Sequence, residues 1–141
     1  MTNKIFPCIL GLGYVGLPVF IRLNKKYKTI GFDTNRLRIN SLKKKLDINK
    51  EVQNSDLKLL NDSNITSNET NIKNCNFYII TVPTPLKNKN VPDLSHLEKA
   101  YKIISKYLKK NDIIVVESTV YPGATKELAT KIFEKKKKNK V

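Results

Sequence analysis

The sequence predicts a single α/β domain, a doubly wound parallel sheet with helices on both faces. Short apolar runs such as IIVV (113–116) alternate with stretches of helical periodicity, which is the order that parallel strands and crossover helices require. Of the 141 residues, 40% are hydrophobic, enough for one domain with its own core. A glycine-rich turn also separates the first apolar run from the first helical stretch.

Five strands are expected, each from a short apolar run that suits a sheet covered on both faces. They are Ile5–Leu10, Lys28–Phe32, a short strand near Ile65–Thr66, Phe77–Val82 and Ile113–Glu117. The first contains Pro7, which lacks the N–H that a central strand would donate. Either this strand starts at Cys8 or the sheet is distorted there.

Helices are expected between the strands, with right-handed crossovers. Their approximate ranges are Val15–Tyr27, Asn35–Leu46, Asp56–Asn61, Leu94–Lys109 and Gly123–Phe133. The fourth has the clearest pattern, because leucine, tyrosine and isoleucine recur along it at helical spacing. Ser95 and Glu98 are its expected capping box.

The first 22 residues contain an uncharged stretch, Ile5–Ile21, that resembles a membrane segment or secretory signal in composition alone. Its prolines and glycines are disfavoured in helix interiors, and no A-x-A-like cleavage site follows. The glycines Gly11, Gly13 and Gly16 have the spacing G-x-G-x-x-G. A strand, a tight turn and a helix are therefore predicted, as in a Rossmann-type dinucleotide-binding fold.

Each glycine has a role in such a site. Gly11 would make the tight turn, Gly13 would let the backbone approach a pyrophosphate, and Gly16 would let helix and strand pack closely. Asp33 ends the second predicted strand, seventeen residues after Gly16. Its carboxylate is expected to accept hydrogen bonds from the adenosine ribose.

The same carboxylate would repel a 2′-phosphate, so NAD is favoured over NADP as the cofactor. Arg36 and Arg38 qualify this preference, because a nearby arginine can hold a 2′-phosphate. Asp33 could also be the N-cap of the following helix, and the two roles are compatible.

The formal charge of +15 comes mostly from lysines spread along the chain. A/T-rich codons account for this lysine content, so specific nucleic-acid binding is not expected. Cys8 and Cys75 have no metal or redox spacing and are expected to be reduced, buried thiols of a cytoplasmic protein without a metal site. His96, in the first turn of a helix, is expected to be a solvated surface residue.

Three stretches narrow the assignment: GLGYVGLP (11–18), TVPTP (81–85) and ESTVYPGAT (117–125). In this order, and at the C-terminal ends of strands, they resemble the N-terminal NAD-binding domain of the UDP-glucose/GDP-mannose dehydrogenase family. The resemblance extends from Lys4 to about Glu134. V-P-T-P and E-S-T look like the branch that acts on UDP-N-acetylhexosamines, in bacterial surface-polysaccharide pathways.

The resemblance implies contacts with the cofactor beyond the three glycines. The backbone of Tyr14 and Val15 would contact the pyrophosphate, Asp33 the ribose, Arg38 the adenosine and Thr84 the cofactor. Thr119 would lie beside the nicotinamide and help to position a water, which makes it the catalytic candidate in this chain.

Family members oxidise a sugar C6 alcohol to a carboxylate in two NAD-dependent steps, through a thioester on a cysteine. Neither Cys8 nor Cys75 has the family's cysteine context, so neither is expected to be the nucleophile. Residues 1–141 are expected to form the NAD-binding domain, without the family's substrate and C-terminal domains. We expect the isolated chain to be inactive. The lysine run 135–138 suggests a truncated or split enzyme, because its codons would form a run of adenines.

The resemblance further implies a UDP-sugar substrate bound by other domains and a homodimer in the full-length enzyme, with no membrane partner. The alternative is an NAD- or ATP-sensing module of the same fold. Its size would fit, but a sensor would not need TVPTP or ESTVYPG.

Overall fold

A parallel sheet of five strands forms the centre of the structure, a computed structural model that describes residues 4–87 and 91–138, with side chains as far as Glu134. The strands are β1 (Pro7–Leu10), β2 (Ile30–Phe32), β3 (Ile65–Thr66), β4 (Phe77–Ile80) and β7 (Ile113–Val116). Their order is β3-β2-β1-β4-β7, and every neighbouring pair is parallel. The predicted doubly wound sheet is confirmed.

The strand order reverses direction at β1, which lies between β2 and β4. Chain connections leave the sheet on opposite sides at this point, so a crevice opens at the carboxyl ends of β1 and β4. Backbone hydrogen bonds continue one residue past the strands: the N–H of Gly11 donates to Phe32 O and the N–H of Thr81 donates to Leu10 O, both at 2.9 Å. The loops that leave the strands therefore start from fixed positions.

Pro7 is the first residue of β1 and pairs with Phe77 of β4. The strand therefore starts neither at Cys8 nor at Ile5. Proline is tolerated at the first position of a strand, where its missing N–H is not needed. Next to it, Phe6 donates its N–H to Asn76 Oδ1 at 2.8 Å, and Asn76 returns its own N–H to Phe6 O at 3.1 Å.

The α-helices are α1 (Gly16–Asn24), α2 (Arg36–Lys43), α3 (Asn54–Leu57), α4 (Ser95–Ser105) and α5 (Ala124–Lys138), with 3₁₀ turns at Asp62–Asn64 and Glu69–Ile72. Most are shorter than expected, and α3 begins and ends earlier than the expected Asp56–Asn61. A small antiparallel hairpin, β5 (Leu86–Lys87) with β6 (Val91–Pro92), was not predicted, because its strands have two residues each and carry no periodicity.

Two capping expectations are wrong. The N-cap of α2 is Asn35, whose side chain accepts from the N–H groups of Leu37 and Arg38, so Asp33 does not cap this helix. Ser95 is the first helical residue of α4 rather than its cap. Asp93 Oδ1 accepts the Ser95 N–H at 2.9 Å instead. An acidic side chain two residues upstream of Ser95 therefore satisfies the N–H that the capping box was expected to hold.

Alternating side chains of the central strands divide the core between the two faces of the sheet. Ile9 and Ile79 pack with Leu17 and Phe20 on the α1–α2 face, in one buried cluster. Leu10 and Ile80 belong to a second cluster with Tyr101 and other residues of α4 and α5. The rings of Tyr101 and Phe133 meet edge to face, with centroids 5.6 Å apart. The helices that flank the cleft are thereby fixed to the sheet.

Within the described ranges, no helix is long and apolar enough to cross a membrane.

Candidate functional site

A cleft of about 720 Å³ lies at the carboxyl ends of β1, β2, β4 and β7. Its walls are the turn 11–15, the residues that follow β2, the segments 81–84 and 117–119, and one side of α4. The three sequence stretches that suggested a function therefore meet in one place. This place is the reversal point of the sheet, where open α/β folds bind their ligands.

The three glycines differ in what a side chain would meet. Gly11 has a φ of +100°, which L-residues rarely adopt, so its role is to make the turn. A Cβ on Gly16 would overlap the carbonyl oxygen of Gly11 and the hydroxyl of Thr81. A Cβ on Gly13 would meet no atom within 4 Å. Gly16 thus serves the packing of α1, whereas Gly13 borders open space in the cleft.

The start of α1 offers hydrogen-bond donors to this open space. The first N–H groups of a helix have no partners within it and carry partial positive charge. No acidic side chain lies in the first turn of α1, and Val15 at the cap position makes no side-chain hydrogen bond. Tyr14 and Val15 line the cleft with 82% and 41% of their surfaces exposed. An anionic group would find N–H donors here without a competing carboxylate.

The peptide groups of Leu12 are held from both sides. Its N–H donates to Asp33 Oδ2 at 2.8 Å, and its carbonyl accepts from Arg38 Nε at 2.8 Å. Asp33 Oδ1 accepts the N–H of Asn35 at 2.8 Å. Each carboxylate oxygen can accept a second hydrogen bond, so Asp33 retains capacity for a ligand. The acid therefore orders the glycine turn and also borders the cleft.

Arg38 is part of a buried ion cluster. Its Nη1 donates to Asp47 Oδ1 and its Nη2 to Glu51 Oε2, both at 2.7 Å, and the three side chains are 7%, 2% and 9% exposed. Each guanidinium nitrogen thus has a partner in the protein. Arg38 lines the cleft, but its charge is balanced by two carboxylates.

The pKa of Asp47 is set by opposing effects. Burial alone would raise it, but hydrogen bonds from Arg38 and from the N–H groups of Glu51 and Val52 outweigh burial and lower the pKa below its ordinary value. The carboxylate therefore stays ionised and keeps the arginine in place. This cluster fixes the segment 47–51, of which Ile48 and Asn49 line the cleft.

On the opposite side of the cleft, two hydroxyls join the loops that follow β4 and β7. Thr84 donates its hydroxyl to Thr119 O, and Ser118 donates its hydroxyl to Val82 O, both at 2.6 Å. The Thr119 side chain is exposed, and its hydroxyl makes no hydrogen bond to the described side chains and backbone of residues 4–87 and 91–134. Its hydroxyl is available to a ligand, whereas that of Thr84 is already engaged.

One side of α4 also lines the cleft, through His96, Lys99, Ala100 and Ile103. This wall was not predicted from the sequence, although the spacing of these residues is that of a single helix face. His96 is exposed, as expected. The lining does not include Cys8 or Cys75; both are buried thiols near the opposite ends of β1 and β4. Burial, followed by the neighbouring Cys75, raises the pKa of Cys8 well above its ordinary value.

Residues 5–141 match the family model of the NAD-binding domain of UDP-glucose/GDP-mannose dehydrogenases. A UDP-N-acetyl-D-glucosamine 6-dehydrogenase of Pseudomonas aeruginosa is 45% identical over 127 residues, which are 90% of this chain and 30% of the relative. Protein CapL of Staphylococcus aureus is 46% identical over 127 residues, which are likewise 90% of this chain and 30% of the relative.

A solved structure, UDP-D-ManNAc dehydrogenase of Pyrococcus horikoshii, superposes with a TM-score of 0.80 at 26% identity, covering 92% of this chain and 33% of that one. The chain thus spans about a third of the length of the relatives it matches. The match takes in the glycine turn, Asp33 and both loops that bear the threonines. This chain belongs to the UDP-glucose/GDP-mannose dehydrogenase family, as its NAD-binding domain.

Proposed function

We propose that residues 1–141 serve as the NAD-binding domain of a cytoplasmic nucleotide-sugar dehydrogenase that oxidises the C6 alcohol of a UDP-N-acetylhexosamine, or of UDP-glucose, to the uronate. The product would enter surface-polysaccharide synthesis. The observation that carries the proposal is the meeting of the glycine turn, Asp33 and Thr119 in one cleft at the reversal point of the sheet. The UDP-sugar is carried over from the names of the relatives.

Two features of the cleft support NAD as its ligand. Gly13 leaves the space that a pyrophosphate needs, and the start of α1 provides N–H groups without a competing carboxylate. We assign the pyrophosphate contacts to the backbone of Gly13, Tyr14 and Val15. Asp33, whose oxygens each retain an acceptor position, would hold the adenosine ribose.

NAD, when bound, supplies the acceptor for the hydride that leaves the sugar carbon. In this proposal the chain's own residues position the cofactor and the groups around it. Thr84 fixes the loop of Thr119 through its hydrogen bond to the Thr119 carbonyl. The free hydroxyl of Thr119 would then hold a water beside the nicotinamide. Arg38, which orders the segment 47–51, would lie along the adenosine.

The substrate-binding residues and the nucleophilic thiol would be provided by the other domains of the family. Neither buried cysteine of this chain is placed to act as that thiol. We therefore propose that this chain on its own binds NAD without oxidising sugar. A homodimer is proposed for the full-length enzyme from the resemblance to the family alone.

Replacing Asp33 with alanine is expected to weaken NAD binding by about 1.5–3 kcal/mol, the range for a hydrogen bond to a charged group. The same change should narrow the preference for NAD over NADP, because the carboxylate that repels the 2′-phosphate is gone. Titration of both cofactors by calorimetry measures both effects. If the substitution acted only by damaging the glycine turn, it would weaken the binding of NAD and of NADP equally. A parent chain that binds NADP more tightly than NAD would contradict the role of Asp33.

A chimera tests the proposed function as a whole. In it, this chain replaces the matching 30% of the Pseudomonas aeruginosa relative. We expect NAD reduction with UDP-N-acetyl-D-glucosamine, followed at the NADH absorbance band. A chimera that also carries Gly13→Val is the matched control and should lose at least about nine-tenths of the rate, because the valine would occupy the pyrophosphate position. A folded chimera that binds NAD but reduces none of it would contradict the proposal.

A further inference from the structure

Two side chains with a permanent positive charge line the cleft within the described residues, Arg38 and Lys99. Arg38 donates to Asp47, to Glu51 and to the Leu12 carbonyl, so its charge is balanced by the protein itself. Lys99 is exposed and makes no hydrogen bond or ion pair to any residue in the described part of the chain. Its ammonium group is the cation that remains available to a ligand.

Lys99 is held at the cleft by the helix that carries it. Ala100, the next residue, is 3% exposed. Leu97 and Tyr101, two residues before and two residues after Lys99, are buried in the core. One turn further, Ile103 is partly buried and also lines the cleft. The backbone of α4 is therefore fixed against the sheet, and Lys99 projects from a rigid element. A long side chain on a fixed helix can reach a bound ligand without rearrangement of the fold.

The carboxylates around the cleft would repel an anionic ligand, and a cation without a partner in the protein would offset this repulsion. Asp33 and Glu117 line the cleft and have no cationic partner among the side chains that the structure describes, those of residues 4–87 and 91–134. A dinucleotide brings two negative phosphate charges close to these carboxylates. The partial charges at the start of α1 offset only part of this repulsion, since they equal about half an elementary charge.

We propose that Lys99 is a phosphate-binding residue of this site and pairs with the pyrophosphate of the dinucleotide from the α4 wall. This inference rests on the proposed NAD function and adds a residue that neither the glycine motif nor the threonine loops include. The same chemistry would suit the diphosphate of a nucleotide sugar, and the experiment separates the two sources.

The test compares Lys99→Gln with Lys102→Gln in the full 141-residue chain. Lys102 lies on the same helix outside the cleft lining, where it pairs with Glu98 at 2.9 Å, so both variants lose one positive charge. Lys99→Gln should raise the Kd for NAD about three- to tenfold at low salt, between the effect of an exposed ion pair and that of a charged hydrogen bond. The difference should shrink as salt screens the pair. Lys102→Gln should stay within about twofold of the parent.

Adenosine, ADP and UDP are titrated into the same three proteins. Lys99→Gln should weaken ADP binding and leave adenosine binding unchanged, because adenosine has no phosphate. If the two lysine variants bind NAD equally, the role of Lys99 is overturned while the proposed function stands. If Lys99→Gln weakens UDP but not NAD, the lysine serves the nucleotide sugar and the assignment is wrong. A parent chain that binds no NAD would overturn both proposals.

Discussion

Gly16→Ala is expected to destabilise the fold by at least about 3 kcal/mol, the upper end of the cost of overpacking. The added methyl group would overlap the carbonyl oxygen of Gly11 and the hydroxyl of Thr81. Movement of either atom would cost free energy. Gly11 lies in a left-handed turn, and the Thr81 hydroxyl donates a hydrogen bond to the Gly11 carbonyl at 2.7 Å. Urea denaturation followed by circular dichroism measures the loss.

Gly13→Ala is the matched control for this prediction. It adds the same methyl group three residues away in the same motif, where no atom lies within 4 Å. Its stability should therefore stay within about 1 kcal/mol of the parent. Equal stability of the two variants would contradict the close packing of α1 on the glycine turn. Unfolding of Gly13→Ala would instead mean that this glycine, too, serves only the backbone.

The central sheet could be predicted because its signal is local. Apolar runs placed β1, β2, β4 and β7 at the right positions, and even the two-residue β3 was found at Ile65–Thr66. The ends of elements were less accurate, because they depend on partners distant in sequence. Asn76 fixes the start of β1 from 70 residues away. The hairpin of β5 and β6 was missed because Leu86 and Val91 are exposed and give no alternation.

The candidate site was also predicted only in part, and the predicted part is again the one that depends on local sequence. The spacing of the glycines and of Asp33 located one half of the cleft, since a turn and a strand end follow directly from local sequence. The hydrogen bonds of Arg38 could not be predicted from local sequence, because Asp47 and Glu51 reach it only after the segment beyond α2 has folded back. The contribution of α4 to the cleft was not predicted, because its cleft-lining residues lie next to an apolar stripe that was assigned to the core. The cofactor roles of Thr84, Thr119 and Arg38 themselves stay predictions.

The ion cluster of Arg38, Asp47 and Glu51 is the second feature that we expect to contribute strongly to the stability of the fold. Arg38→Met keeps most of the aliphatic stem but leaves Asp47 and Glu51 as neighbouring buried carboxylates without a cation. Removing one partner from a buried ion cluster costs about 3–5 kcal/mol. We expect a loss of this size at pH 7, measured by urea denaturation. Lys102→Met, which breaks the exposed pair with Glu98, is the control and should cost less than about 1 kcal/mol.

The pH dependence gives a second measurement of the same cluster. The pKa of Asp47 in the folded parent lies below its ordinary value of 3.8. Its contribution to stability is therefore complete above that value and is lost as the pH falls through the lower, folded pKa. In Arg38→Met the two carboxylates repel each other, so protonation relieves the variant. The stability gap between parent and variant should thus narrow below about pH 4. A gap that widens on acidification, or no gap at pH 7, would show that the cluster does not hold the segment 47–51 against the glycine turn.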